Sequence, residues 1–316
     1  MTKAVRFLKN WMLPLAILTG VSTFLLIHSV TFLQPYEAGF SKFAANIQPI
    51  LVSIMLFLQF NVVPPTDMKL HKWYFTLIAL QSVLFIVLAV IATFLKLSNF
   101  RILIECAMLC FICPTAAAAG VITAKLGGNV SEVITYTVII NAVASLLIPF
   151  MIPLVHHTQD LSFMDSFTAI VRRVFSILLL PCAAAWTIRY TLPKLQKLLA
   201  QYVNLAFYFW GVSLTFALFL AAKALIYSNL PFYITLLIGA VSLICCLLQF
   251  KVGRMSAKRY GKEHAITAGQ AMGQKNTGFF IWLGYSYMTP VTSIAGGFYS
   301  IWHNLVNTYE LYKSRH

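Results

Sequence analysis

The sequence predicts an all-α polytopic membrane protein: ten transmembrane helices in two inverted five-helix repeats, with the fourth and ninth helices broken. Three observations predict it: an apolar composition, ten separable apolar runs, and matched interruptions in the fourth run of each half. Of the 316 residues, 60% are hydrophobic and 10% charged, and the mean hydropathy is +0.81. Soluble globules carry roughly 25% charged residues, so this chain has too little polar surface for an ordinary cytosolic enzyme and too much apolar surface for a disordered one.

A span takes roughly 20 apolar residues. The first run, 11–33, follows Lys3, Arg6 and Lys9, a pattern that also suits a secretory leader. Its length and the lack of a small-x-small cleavage site favour a helix. The second run, 47–63, stops at Pro64 and Pro65, and the third covers 73–95. The fourth begins near Arg101, breaks at Cys113, Pro114 and Thr115, and resumes through the small residues of 116–126. The fifth covers 130–155. A polar connector with His156, His157, Asp160 and Asp165 follows, read as a solvated loop because no further ligand at helical spacing completes a metal set. Runs six to eight cover 167–192, 202–226 and 231–250. The ninth, 264–288, is polar and glycine-rich between Gly269 and Gly278, and the tenth covers 291–312.

Five spans per half make the halves point opposite ways across the bilayer. Paired interrupted segments at corresponding positions of such halves mark a secondary-transporter binding site near the midplane. With the N-terminus cytoplasmic, sixteen basic residues fall on cytoplasmic ends: Lys3, Arg6, Lys9, Lys69, Lys72, Lys125, Arg189, Lys194, Lys197, Lys251, Arg254, Lys258, Arg259, Lys262, Lys313 and Arg315. Six fall outside: Lys42, Lys96, Arg101, Arg172, Arg173 and Lys223. This bias sets both termini in the cytoplasm. It also explains the net charge of +15 without nucleic acid, and the 251–262 cluster suits anionic lipid heads. All six cysteines lie in apolar runs. Cys106, Cys110 and Cys113 share a helix face but lack a completing ligand, so they read as packing residues.

Proline at 114 removes a donor and parts the helix, and the half-helix after it begins with free N–H groups that suit a carboxylate or phosphate. In the second break, Gln274, Lys275, Asn276 and Thr277 lie between Gly273 and Gly278. A lysine at a helix centre costs roughly 2.5–3.5 kcal/mol on insertion scales, so Lys275 should face a cavity or a partner. Glu132 opens the fifth span, where an acid suits a helix N-terminus; partnering Lys275 or relaying protons is its other reading. Glu105 should pair with Arg101 one turn back, on the helix surface. Gln81 needs a buried partner, Thr137 and Asn141 share a face, and His303 beside Asn304 either titrates or makes a structural hydrogen bond.

At these residues the chain resembles the bile acid:sodium symporter family, in its ten-helix bacterial form. The resemblance covers essentially the whole chain. It rests on Cys113-Pro114 with the small residues after it, Gly128-Asn129-Val130, Gly273 through Gly278, and Ser300-Ile301-Trp302-His303-Asn304. It implies a bacterial plasma-membrane location, a panel domain of about 11–63 and 167–226, and a core domain of about 73–155 and 231–312. In that core the broken helices cross and move against the panel in alternating access. It further implies a small organic anion as cargo, a bile acid or a pantoate-like carboxylate. Thr115, Ala116, Asn276, Thr277, His303 and Asn304 are the candidate substrate residues.

The departures from the family concern sodium. Its first-site Ser-Asn pair reads Ala119-Gly120 here, and its fifth-span serine and threonine read Val133 and Thr137. The glutamate that serves both sites reads Ala271, and a second-site glutamine reads Lys275; Gln81 and Asn276 match. A hard cation needs several oxygen ligands, so we expect no sodium coupling and no cofactor. Lys275 should stand in for bound sodium, donating to Gln81 and backbone carbonyls, with proton-linked transport, uniport or exchange as the open versions. Three alternatives stay open: a sodium symporter with rearranged ligands, a non-transporting membrane sensor of the same fold, and a membrane-embedded enzyme. For the enzyme the spans offer no nucleophile–base pair at workable spacing.

Overall fold

The computed structural model describes residues 3–96, 98–156 and 162–314, with side chains from Trp11 onward. Among them are fourteen α-helices and no strand. In chain order these are α1 (Lys3–Ser29), α2 (Glu37–Phe60), α3 (Lys72–Phe94), α4 (Asn99–Ile112), α5 (Ala119–Lys125), α6 (Val130–Val155) and α7 (Phe163–Leu178). There follow α8 (Leu180–Thr191), α9 (Pro193–Gln201), α10 (Leu205–Tyr227), α11 (Phe232–Ala257), α12 (Lys262–Gly273), α13 (Thr277–Tyr287) and α14 (Ser293–Lys313).

Six helices, α1, α2, α3, α6, α10 and α11, are long and apolar enough to cross a bilayer, and α7 with α8 makes a seventh across a 42° bend. Large apolar side chains face outward along them: Phe94 is 84% exposed and Leu146 73%. An apolar rim of this extent suits lipid rather than water, and the chain is a helical, membrane-embedded protein. Its largest apolar cluster joins α3, α4, α6 and α11 to α14 and reaches α2 and α7; two satellites join α1, α2, α10 and α13.

The boundaries differ from the sequence reading where charge is neutralised locally. The second helix begins at Glu37 rather than 47, because the Glu37 carboxylate is paired with Lys223 at 3.1 Å and accepts from Tyr227 at 3.1 Å. The eighth run extends to Ala257, past Lys251 and Arg254. The sixth bends at Leu179, where Pro181 in the next turn cannot donate. The exposed helix α9 lies in what reads as a plain connector, and its Gln196 amide donates to the Asn61 carbonyl just past α2.

Of the 156–165 connector, His157 and Asp160 lie outside the described residues. His156 bonds Glu105 at 2.9 Å, and Asp165 caps α7 with Ser162. The Glu105–Arg101 pair forms at 2.9 Å, but Glu105 is fully buried and so is not on a helix surface. The carboxylate sinks inward because Arg101 and His156 share it.

Candidate functional site

The two interruptions meet. Residues 113–118 separate α4 from α5, and 274–276 separate α12 from α13. Thr115 and Lys275 pair as an isolated antiparallel bridge. Its bonds run from Ala116 N to the Gln274 carbonyl at 3.1 Å and from Asn276 N to the Pro114 carbonyl at 2.8 Å. Pro114 lacks an N–H but keeps its carbonyl, and that carbonyl is the group used. Thr115 and Lys275 are thus the non-bonded pair of the bridge, with their own backbone groups turned away from the pairing.

The helices that end at the breaks, α4 and α12, would leave carbonyls without donors and a partial negative charge. Side chains meet both. The Phe111 carbonyl accepts from Gln81 at 3.1 Å and from the Lys275 ammonium at 3.4 Å. The Cys110 carbonyl accepts from Gln249 at 3.1 Å. On the other side the Ala271 carbonyl accepts from the Thr115 hydroxyl at 2.6 Å, and the Gly273 carbonyl from Tyr299 at 2.8 Å. Gln249 also donates to the Tyr299 hydroxyl, and Tyr136 donates to the Gln81 oxygen at 2.5 Å. Lys275 is 1% exposed and makes no ion pair among the described residues. The cysteines read as packing residues from sequence are buried, and the thiols of Cys110, Cys113, Cys245 and Cys246 lie near this ammonium.

The start of α13 is less satisfied. Asn276 caps it, accepting from Phe279 N at 3.1 Å, which leaves the Thr277 and Gly278 N–H groups without intrahelical acceptors. Four buried side chains here have polar atoms without partners: Asn276 Nδ2, Thr277 Oγ1, Ser213 Oγ and both polar atoms of Gln48. Gln48 on α2 and Ser213 on α10 face Gly278 so closely that a Cβ there would meet Gln48 Nε2 at 2.8 Å and Ser213 Oγ at 3.0 Å. Buried polar atoms are rarely left unpaired, and this group of donors and acceptors around a helix N-terminus fits a polar, anionic guest.

Of the candidate substrate residues, Thr115, Ala116, Asn276 and Thr277 come together at the breaks. His303 is buried with its ring edge-on to Tyr299 at 5.8 Å, one side chain removed from the bridge, and its Nδ1 has no partner. Asn304 is half-buried and bonds back to Ser300 of its own helix. Thr137 likewise bonds back to Val133. Ala119, Val133 and Ala271 lie in the main apolar cluster, and Gly120 packs against Val130 and Ile134, so apolar contacts fill these positions. Gln81 has both ends occupied and does not accept from Lys275; the two share the Phe111 carbonyl. Glu132 pairs with His71 and His264 rather than with Lys275.

Sequence reasoning missed Gln48, Ser213, Gln249, Tyr136 and Tyr299. With the second run started at 47, Gln48 reads as a terminal residue. In α2 it sits mid-helix. No protein-family model matches the chain, and no curated protein matches its sequence.

Proposed function

We propose that this protein is a secondary transporter of a small organic anion, working by alternating access without sodium, and a divergent member of the bile acid:sodium symporter family. In this reading the broken pairs α4/α5 and α12/α13 are spans four and nine, α7/α8 is span six and α14 is span ten. The five-span halves are inverted, and both termini are cytoplasmic. The core, 73–155 and 231–312, carries the crossed breaks, and the panel, 11–63 and 167–226, supplies Gln48 and Ser213.

One observation carries the reading: two helix interruptions, 160 residues apart in sequence, pair their backbones beside a buried group of unpartnered polar side chains. A guest carboxylate there takes the Thr277 and Gly278 N–H groups and the Gln48 amide, at a helix end whose dipole favours negative charge. Lys275 supplies the positive charge that holds the α4 end, where the family uses a sodium ion. Because that cation is covalent, sodium adds nothing, and the Ala271 position has no carboxylate to hold one.

The test is uptake of labelled pantoate and of a labelled bile salt into proteoliposomes, with sodium or choline outside and with or without a pH gradient. Saturable uptake that is equal in sodium and choline is expected. Sodium-stimulated uptake overturns the Lys275 substitution, and saturable binding without flux overturns transport. A dependence on the pH gradient separates the proton-linked version from uniport or exchange.

A further inference from the structure

Away from the breaks, three helix N-termini converge, and each contributes one ligating side chain. His71 is the N-cap of α3, and Glu132 and His264 are each the third residue of their helices, α6 and α12. The His264 Nδ1 lies 2.9 Å from one Glu132 carboxylate oxygen, and the His71 Nε2 lies 3.5 Å from the other. All three ligand atoms fall within 4.8 Å of one another, with the two rings 5.4 Å apart. We propose that this is a binding site for a zinc-class divalent metal ion that ties α12 to α3 and α6.

The spacing suits such an ion. Zinc bonds of 2.0–2.2 Å in a tetrahedron put ligand atoms about 3.4 Å apart; the imidazole nitrogens stand 2.9 and 3.5 Å from the two Glu132 oxygens and the whole set lies within 4.8 Å, so side-chain shifts of about an ångström close it on an ion. Two imidazoles and one carboxylate form an open three-ligand set, in which water completes the shell. The histidine side chains are 30% and 28% exposed, which leaves an entry path from the aqueous side. The donor set also discriminates. Calcium and magnesium need oxygen ligands and are held largely by charge, whereas only one carboxylate stands here among three positive helix ends. A nitrogen-seeking ion is therefore favoured.

The helix ends that carry the ligands are joined without the ion. Asn129 accepts from Glu132 N at 3.1 Å, and its own N–H donates to Thr267 Oγ1 at 2.8 Å, which joins α6 to α12. Tyr74 donates to the Glu132 carbonyl at 3.0 Å, which joins α3 to α6. A Cβ on Gly128 would meet Thr123 Cγ2 at 2.7 Å and Thr267 Oγ1 at 2.9 Å, so glycine there lets α12 approach. The Gly128-Asn129 sequence thus builds this junction, and helix ends so joined let the side chains take a metal with little backbone rearrangement.

The test uses the full-length chain in detergent, stripped with EDTA and titrated with zinc, magnesium or calcium chloride by calorimetry, with bound zinc counted after gel filtration. One zinc per chain is expected, with no saturable magnesium or calcium binding. Saturating zinc should raise Tm by about 5 °C. His71→Ala and His264→Ala should each weaken zinc at least tenfold, and their Tm in EDTA shows whether the variants fold. His71→Gln and His264→Gln repeat the measurement where alanine does not fold. Cobalt(II) bound at the site should show d–d absorption that the double histidine variant lacks. No stoichiometric zinc, or one zinc retained at unchanged affinity in that folded double variant, overturns the proposal and leaves a histidine–carboxylate hydrogen-bonded cluster.

Discussion

The first interruption runs six residues and opens a seven-residue helix; the second runs three and opens a helix of eleven. Each following helix has glycine as its second residue, Gly120 in α5 and Gly278 in α13. Around Gly120 the neighbours are apolar, and Ala118 gives α5 no side-chain cap. Around Gly278 the two nearest are an amide and a hydroxyl, with a Val52 methyl third, and Asn276 caps α13. The first break thus offers carbonyls and packing, while the second offers the charge, the cap and the open helix end. Crossed breaks need not be chemically equivalent, and here the polar chemistry lies in the second.

The largest expected effect tests that asymmetry directly. Lys275→Ala leaves a cavity and removes one donor from the Phe111 carbonyl, which lowers stability, but also removes a buried ammonium that costs roughly 2.5–3.5 kcal/mol, which offsets it; uptake should be abolished with little net change in Tm. Lys275→Met refills the volume and should hold Tm at or above that of the wild type with no uptake; uptake by the methionine variant would show the charge to be dispensable. Next is Gly278→Ala, whose methyl would press on Gln48 and Ser213. An overpacking cost of about 1–3 kcal/mol is expected where α13 meets α2 and α10, read as a lower Tm, and the methyl crowds the proposed guest site, so uptake should fall about tenfold. Normal uptake by this variant would move the guest away from α13. Ser213→Ala removes a buried hydroxyl with no partner and should hold or raise stability by up to about 1 kcal/mol, while raising the substrate concentration that half-saturates uptake. The smallest effect is expected from Gly120→Ala. Its methyl meets Val130 at 3.5 Å and Ile134 at 3.9 Å, ordinary contacts, and helix propensity favours alanine by roughly 0.5–1 kcal/mol. Uptake equal to wild type is the outcome that keeps the two glycines distinct.

The helical class and the place of both breaks were readable in the sequence, because apolar run length and the Pro114 and Gly273–Gly278 signals are local. The 130–155 run agrees with α6 residue for residue at both ends, since Asn129 is a strong cap. The start of α2 was not readable. A lone Glu37 looks like a loop residue until Lys223, 186 positions later, neutralises it. That error hid Gln48, and the short reading of α11 left Gln249 at a helix end when it in fact lies across the break from Tyr299. Lys275 is the residue the sequence singles out, with Gln81 and backbone carbonyls as its expected acceptors; a carbonyl does accept, Gln81 does not, and which carbonyl was not readable. A carbonyl such as that of Phe111 carries no sequence signal of its own, and only the return of α4 beside the second break exposes it.

The solitary ammonium has an electrical consequence. Among the described residues no carboxylate is paired to Lys275, so in the transporter proposed above its protonated form gives the core one uncompensated positive charge inside the bilayer. A transmembrane potential acts on a full elementary charge with about 2.3 kcal/mol per 100 mV, and on this one in proportion to the fraction of the field it traverses. In the proposed carrier a bound monoanion would cancel that charge. For a carrier of this design the loaded passage is then blind to voltage, and the empty return is the step the membrane potential drives or restrains.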